Sequence, residues 1–268
     1  MTLSKPSNNI IHNKFIKNHL LNKKIFIIGG SGMTYIDILA LLSQFENLKL
    51  LSNIFISIGI SSGCIVAFIL LMKNKNKTIE NCIEYLFNFF NNKSVLNFKK
   101  DLRKEFFEYV LKYFNVDKNT TFIELKEKYN KIGVFCALNT MSLENQNFNY
   151  INTPYVKLVD AFLASSSIPI IFGKYKIDNN YFYDGNIIYN YIENNINKVL
   201  DICGNMYDKK NILIIKKGNP IKEYDNCIIK PLVNFSDFYK KYTIDKCNKQ
   251  LVNGYTHALK YIFFDIIE

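Results

Sequence analysis

Residues 54–68 read Ile54-Phe-Ile-Ser-Ile-Gly-Ile-Ser-Ser-Gly-Cys-Ile-Val-Ala-Phe68, and two incompatible structures fit the stretch. Ile54 to Ile58 is β-branched and aromatic, the make-up of a buried strand, and a helix-length apolar run after Gly63 ends near Met72. Between the two lies Gly59-Ile60-Ser61-Ser62-Gly63, which has G-x-S-x-G spacing. A sharp strand-to-helix turn leaves no room for Cβ atoms two residues either side of its serine, and it holds the serine oxygen out at the head of the helix. On this reading Ser61 is the nucleophile. The Ser62 N–H then sits in the first helical turn, where unpaired donors and the helix dipole favour a developing oxyanion. The second structure is a membrane span, because Leu50 to Met72 is 23 residues without a charge, closed by Lys49 and Lys73.

Composition narrows the field. A chain of 268 residues with 49% hydrophobic and 21% charged content has the make-up of a globular protein with one large core. The formal charge of +11 predicts attraction to anionic surfaces. No dense Lys/Arg run with interleaved aromatics is present, which disfavours nucleic acid as the partner. Cys64, Cys82, Cys136, Cys203, Cys227 and Cys247 include no C-x-x-C pair and mostly sit in apolar runs, which points to a reducing compartment rather than a disulfide frame or a zinc site. A polar start without an apolar signal core points to an intracellular protein.

Residues 1–23 are expected to form a loose tail and a short amphipathic helix over Ile10 to Leu21, and 24–268 the main domain. Lys24 to Ile28 reads as a strand that opens into Gly29-Gly30-Ser31-Gly32-Met33-Thr34, with a helix after it carrying Ile36, Leu39, Leu42 and Phe45 on one face. A glycine-rich turn between strand and helix exposes N–H groups that can hold an anion. The dinucleotide fingerprint is not met and the P-loop Lys-Ser/Thr is missing. Thr78 is the expected N-cap of a helix with Ile79, Cys82, Ile83, Leu86, Phe87 and Phe90 on one stripe. A second such helix spans Asp101 to Phe114. The apolar stripes around Phe87, Phe90, Phe106 and Phe107 suit core packing first and a membrane-inserting flank second. Thr121 to Glu124 is a capping box. Strands are expected over Lys131–Leu138 and Asn147–Ile151, a helix over Tyr155–Ala164, strands over Asn211–Lys216 and Cys227–Lys230, and helix through most of Phe235–Glu268. Alternating strands and helices give an α/β layered fold. Tyr181-Phe182-Tyr183 leads into Asp184-Gly185-Asn186, an aspartate at a strand end that serves either as a carboxylate base or as an ordinary Asp-Gly turn.

A serine nucleophile needs a general base. Only His257 follows Asp184, so Ser61, Asp184, His257 has the chain order of an α/β-hydrolase triad. His257 lies in a helical pattern, however, and a Ser–Asp dyad uses the residues more economically.

Three blocks, in order, make the chain similar to the patatin-like phospholipases. Gly29-Gly30-Ser31-Gly32 stands where that family has its glycine-rich oxyanion loop, Gly59-Ile60-Ser61-Ser62-Gly63 resembles its nucleophile elbow, and Asp184-Gly185-Asn186 its Asp-Gly-Gly/Ala motif. Ala164-Ser165-Ser166-Ser167-Ile168-Pro169 is similar to the stretch leading to the catalytic aspartate. The resemblance implies a three-layer α/β/α fold with a central, mostly parallel sheet. It also implies a Ser61–Asp184 dyad, an oxyanion hole from Gly29, Gly30, Ser31, Gly32 and Ser62, and no metal or cofactor. The implied activity is phospholipase A-type hydrolysis of phospholipid or other acyl-ester lipid at an anionic membrane surface, by a peripherally associated protein. Ser31 occupies a usual glycine position, Met33 and Thr34 replace a basic residue and a glycine, and Asn186 replaces Gly or Ala. These departures leave open a catalytically weakened lipid-binding homologue.

Overall fold

The computed structural model describes residues 20–32, 35–51, 54–92, 96–97, 100–187, 196, 200, 202, 208–216, 224–228 and 244–263. In chain order the elements are β1 (Ile25–Ile28), α1 (Tyr35–Asn47), β2 (Ile56–Ile60), α2 (Gly63–Met72), α3 (Ile79–Asn92) and a small hairpin of β3 (Leu96–Asn97) and β4 (Lys100–Asp101). Next come α4 (Arg103–Tyr113), α5 (Phe122–Tyr129), β5 (Ile132–Asn139), β6 (Asn145–Phe148) and α6 (Leu158–Ser165). The chain continues with β7 (Tyr175–Ile177), β8 (Asn180–Asp184), β9 (Ile212–Lys216), β10 (Asp225–Ile228) and α7 (Ile244–Phe263).

The central sheet has the order β10-β9-β1-β2-β5-β8-β7, with β6 also on β5. Its four pairings from β10 to β5 are parallel, and those of β5 with β6 and β8, and of β7 with β8, are antiparallel. Strands buried on both faces read as continuous apolar runs. In β1, Phe26 and Ile28 enter the larger core while Ile25 and Ile27 enter the second. In β2 the alternation is sharper. Ile56, Ile58 and Ile60 face the second core, leaving Ser57 and Gly59 on the side covered by α2. That second core also takes in Ile196 and packs on Leu200 and Ile202, from the stretch between β8 and β9. Ile196 and Leu200 are helical, so helical residues lie on both faces of the sheet. The fold is therefore α/β/α.

The Leu50–Met72 run is not a span. It breaks into β2, a turn at Ser61–Ser62 and the ten-residue α2, every residue of which from Gly63 to Leu71 is buried. A helix at the centre of the larger core, touching sheet and neighbouring helices alike, needs no polar face. Among the described residues no helix is long and apolar enough to cross a membrane.

α1 departs from its expected single apolar face. Besides Ile36, Leu39, Leu42 and Phe45, it buries Tyr35, Asp37, Ile38, Ala40, Leu41 and Ser43, because α7 packs across its other side. A Cβ on Gly254 would lie 2.2 Å from the Asp37 carbonyl oxygen, and the Asn253 side-chain amide donates to Asp37 Oδ2 at 3.1 Å.

Phe106 and Phe107 are fully buried, the latter stacked on Phe162 at 4.6 Å between centroids, so neither flanks a membrane. Thr78 caps α3, accepting the Asn81 N–H at 3.2 Å. Its buried stripe runs Ile79, Cys82, Ile83, Leu86, Phe89, with Phe87 half-buried and the Phe90 side chain outside the described residues.

Three element bounds differ from expectation for a local reason. α6 begins at Leu158 because the carbonyls of Pro154 and Val156 accept the Ile123 and Phe122 N–H groups at the head of α5. β6 ends at Phe148, where Asn149 Oδ1 accepts the N–H groups of Ile151 and Asn152 in an Asx turn. β10 starts at Asp225, which ion-pairs with the buried Lys23 before β1. The capping box at Thr121 forms on both sides. The expected Ile10–Leu21 helix lies outside the described residues except for its last two positions.

Candidate active site

β2 delivers the chain to Ser61, which adopts φ 55°, and Ser62 then opens α2 with φ −61° and ψ −20°. The left-handed region disfavours a side chain by roughly 1–3 kcal/mol, so the surroundings must enforce it. Two glycines make the turn possible. A Cβ on Gly59 would lie 2.4 Å from Cys64 Cα, and one on Gly63 2.5 Å from the Ile28 carbonyl oxygen. The Ser61 N–H donates to Ser165 Oγ at 2.8 Å, and Ser165 Oγ in turn donates to the Cys136 carbonyl at 2.5 Å. Ser165, at the end of α6, thus holds the strained residue against β5.

Asp184 ends β8. The Ser61 hydroxyl donates to Asp184 Oδ2 at 2.6 Å, and the Asn186 N–H to Oδ1 at 2.8 Å. The Asp184 N–H donates to the Ser167 carbonyl at 2.9 Å and the Gly185 N–H to the Ser165 carbonyl at 3.3 Å. A Cβ on Gly185 would lie 2.4 Å from the Cys136 carbonyl oxygen, so glycine lets β8 close on β5. Ser61 is 7% and Asp184 4% exposed. Burial lifts the Asp184 carboxyl from its ordinary 3.8 to about 6, against the opposing pull of the Ser61 and Asn186 hydrogen bonds and the Arg103 charge. Burial also pushes the neighbouring Cys64 thiol well up, which keeps it protonated and inert.

The glycine-rich loop differs in part from expectation. The Gly29 N–H donates to the Ile215 carbonyl at 2.9 Å, extending the β1–β9 ladder, and is no donor for a ligand. Ser31 is buried without positive φ, and the left-handed residue is Gly32 at φ 55°. The serine in place of glycine is therefore accommodated. Its N–H and its hydroxyl each lie 3.1 Å from Ser62 Oγ, tying the loop to the elbow. A Cβ on Gly30 would lie 3.1 Å from Asn186 Cγ, so the Asn186 side chain lies over the loop. The Gly30 and Ser62 N–H groups make no hydrogen bond among the described residues. Met33 and Thr34 lie outside the described residues.

His257 is on α7 and half-buried, and the hydroxyl of Ser61 is directed at Asp184 with no imidazole between them.

One residue escaped the sequence reading. Arg103 is the only arginine among 34 Lys and Arg residues. It opens α4, where the helix dipole disfavours a cation, and is only 6% exposed. Its Nη1 donates to the carbonyls of Ser166 (2.6 Å) and Leu163 (3.3 Å) and reaches the Ser166 hydroxyl at 3.1 Å. The guanidinium lies 3.7 Å over the Phe172 ring. It therefore grips the Ser165–Ser167 segment that holds both Ser61 and Asp184. The available signal was its rarity in a lysine-rich chain.

Comparison with known proteins places this architecture. The family model described as "Patatin-like phospholipase" matches residues 27–194. The chain is 28% identical over 201 residues to "Probable lipid hydrolase 463L" of Invertebrate iridescent virus 6, an alignment covering 70% of this chain and 66% of that protein. Among solved structures, VipD from Legionella pneumophila superposes with TM-score 0.57 at 12% identity, covering 90% of this chain and 67% of that one. ExoU, in its complex with SpcU from the type III secretion system of Pseudomonas aeruginosa, gives TM-score 0.51 at 14% identity over 90% of this chain and 52% of that one. The chain thus spans about two thirds of its viral relative and about half of the ExoU chain. The two structural likenesses show a common fold, and with the matched segment taking in the loop, the elbow and Asp184, the chain belongs to the patatin-like phospholipase family.

Proposed function

We propose that the protein is a lipid acyl hydrolase of phospholipase A type working through a Ser61–Asp184 dyad. The observation that carries this reading is the 2.6 Å hydrogen bond from the Ser61 hydroxyl to Asp184 Oδ2, made by a serine in left-handed backbone at the head of a buried helix. Ser61 Oγ attacks the ester carbonyl carbon as Asp184 takes its proton. The carbonyl oxygen becomes an oxyanion facing the Ser62 and Gly30 N–H groups and the positive end of α2. Collapse expels the alcohol, which takes the proton from Asp184, and leaves the acyl group on Ser61. Asp184 then removes a proton from water as the water attacks the acyl-enzyme, releasing the fatty acid and returning the proton to Ser61. A carboxyl poised near 6 is ionised at neutral pH yet basic enough for both transfers.

Arg103 is the positioning residue of this scheme. Lysine keeps its charge but loses the planar face on Phe172, and an ammonium is harder to desolvate. Arg103→Lys should lower kcat on the order of tenfold or more with KM little changed, in a protein that still gives native circular dichroism, because small displacements of a dyad are costly. A wild-type kcat in that variant would reduce Arg103 to packing.

The reading as a whole is tested with vesicles of labelled phospholipid, following release of free fatty acid. Wild type should release it and Ser61→Ala should not. Given the charge of +11, the rate should be higher on anionic than on neutral vesicles, and salt should erase the difference. Binding without fatty-acid release would instead favour the non-hydrolytic, lipid-binding reading.

A further inference from the structure

Between Ser167 and β7 the chain makes a hydrogen-bonded turn, Ile168-Pro169-Ile170-Ile171-Phe172. The Ile171 and Phe172 N–H groups donate to the Ile168 carbonyl at 3.1 and 2.8 Å, and the Ile168 N–H to the Ser166 carbonyl at 3.0 Å. The base of the turn is pinned where the Arg103 guanidinium covers Phe172. The apex, Ile170, is 96% exposed, and none of the five residues is buried. A single exposed isoleucine calls for no explanation. A braced turn that holds one isoleucine almost wholly in solvent, beside three half-buried apolar side chains, does.

The turn springs from the backbone that carries the site. Ser167, immediately before it, accepts the Asp184 N–H, and on the other side of Asp184 the chain exposes Ile187 to 44%, its own N–H on the Asp184 carbonyl at 3.2 Å. Apolar side chains therefore leave the protein from both segments that frame the carboxylate. Lys174, exposed and four residues past the apex, has its ammonium 5.9 Å from the ring centroids of both Tyr181 and Tyr183. Asp178, the one acidic residue between Ile168 and Tyr183, lies in the turn at the far end of the β7–β8 hairpin. Apolar apex, tyrosines and lysine are the set that suits the boundary of an anionic bilayer.

We propose that the 168–172 turn, with Ile187, is the lip by which this protein docks on an anionic lipid surface. Ile170 enters the acyl region, Lys174 meets the headgroup phosphates, and a bilayer lipid passes from the membrane to Ser61 along an apolar rim. The hydrolysis that follows docking rests on the acyl-hydrolase reading above, whereas the docking does not.

The test therefore uses a Ser61→Ala background, in which binding is separated from turnover. Co-sedimentation is measured with vesicles of neutral phosphatidylcholine and of phosphatidylcholine mixed with phosphatidylglycerol. Ile170→Asp should weaken binding to the anionic vesicles about tenfold, since it removes an inserted isoleucine and adds a repelled charge. Val252→Asp, an equally radical change at another exposed apolar position on α7, should not. Lys174→Glu should weaken binding further at low salt than at high salt. In the active protein, Ile170→Asp should lower the ratio of the rate on vesicles to the rate on a water-soluble short-chain ester by a similar factor. Equal vesicle binding by Ile170→Asp and its parent overturns the proposal, as does a parent that ignores vesicles and self-associates through the turn. Absence of ester hydrolysis in the active protein would sink the acyl-hydrolase reading alone, because the sedimentation result still decides the docking.

Discussion

Asp184→Asn should abolish turnover, by about 10³–10⁴-fold, and make the folded protein more stable. Asparagine keeps the shape, with its amide oxygen accepting the Asn186 N–H and its amide nitrogen donating to Ser61 Oγ, but it cannot take a proton. The stability gain follows from linkage. The carboxyl binds its proton more tightly in the folded state, near 6, than its ordinary 3.8. Folding is thus penalised increasingly as pH rises from about 4 to about 6, and the penalty persists above that range. It amounts to at most about 3 kcal/mol at neutral pH, and the neutral amide avoids it. Thermal unfolding at pH 7.5 should show the variant at a higher Tm, and the gap should close as pH falls toward 4. On the proposed mechanism the same carboxyl should set the acid limb of the wild-type rate. kcat/KM should fall about tenfold per pH unit below about 6, as Asp184 takes up a proton and ceases to be a base. A histidine base would give a limb in a similar place, so His257→Ala separates the two readings. It should leave both rate and limb within about twofold of wild type. A folded His257→Ala protein without activity would restore the Ser-Asp-His triad.

What was legible in the sequence is what local sterics demand. Gly59 and Gly63 announce the elbow because a Cβ at either would collide with backbone, and that requirement is written within five residues. The same stretch imitated a membrane span because a fully enclosed helix and a lipid-embedded one ask for the same side chains. Asp184 was less legible. Asp-Gly turns are common, and only its order after the glycine loop and the elbow lifted it above one. The long-range contacts that brace the fold and the site were not legible at all. Ser165 meets Ser61 across 104 residues, Arg103 meets Ser166 across 63, and Asn253 meets Asp37 across 216. None of those contacts leaves a periodicity or a spacing. Gly29 illustrates the converse error: its place in a glycine-rich loop suggested a donor, whereas the β1–β9 ladder uses its N–H.

The measurement that bears most directly on the account is reaction with a fluorophosphonate, followed by mapping of the modified peptide. The probe is captured only by an activated serine with an oxyanion site beside it. In the wild-type protein the label should fall on Ser61, and Ser61→Ala should remove it. Ser62→Ala should still be labelled on Ser61, more slowly, because the Ser62 hydroxyl that ties Ser31 to the elbow is gone while its N–H remains. Label on Ser62, Ser165 or any residue other than Ser61, or labelling that survives Ser61→Ala, would contradict the account.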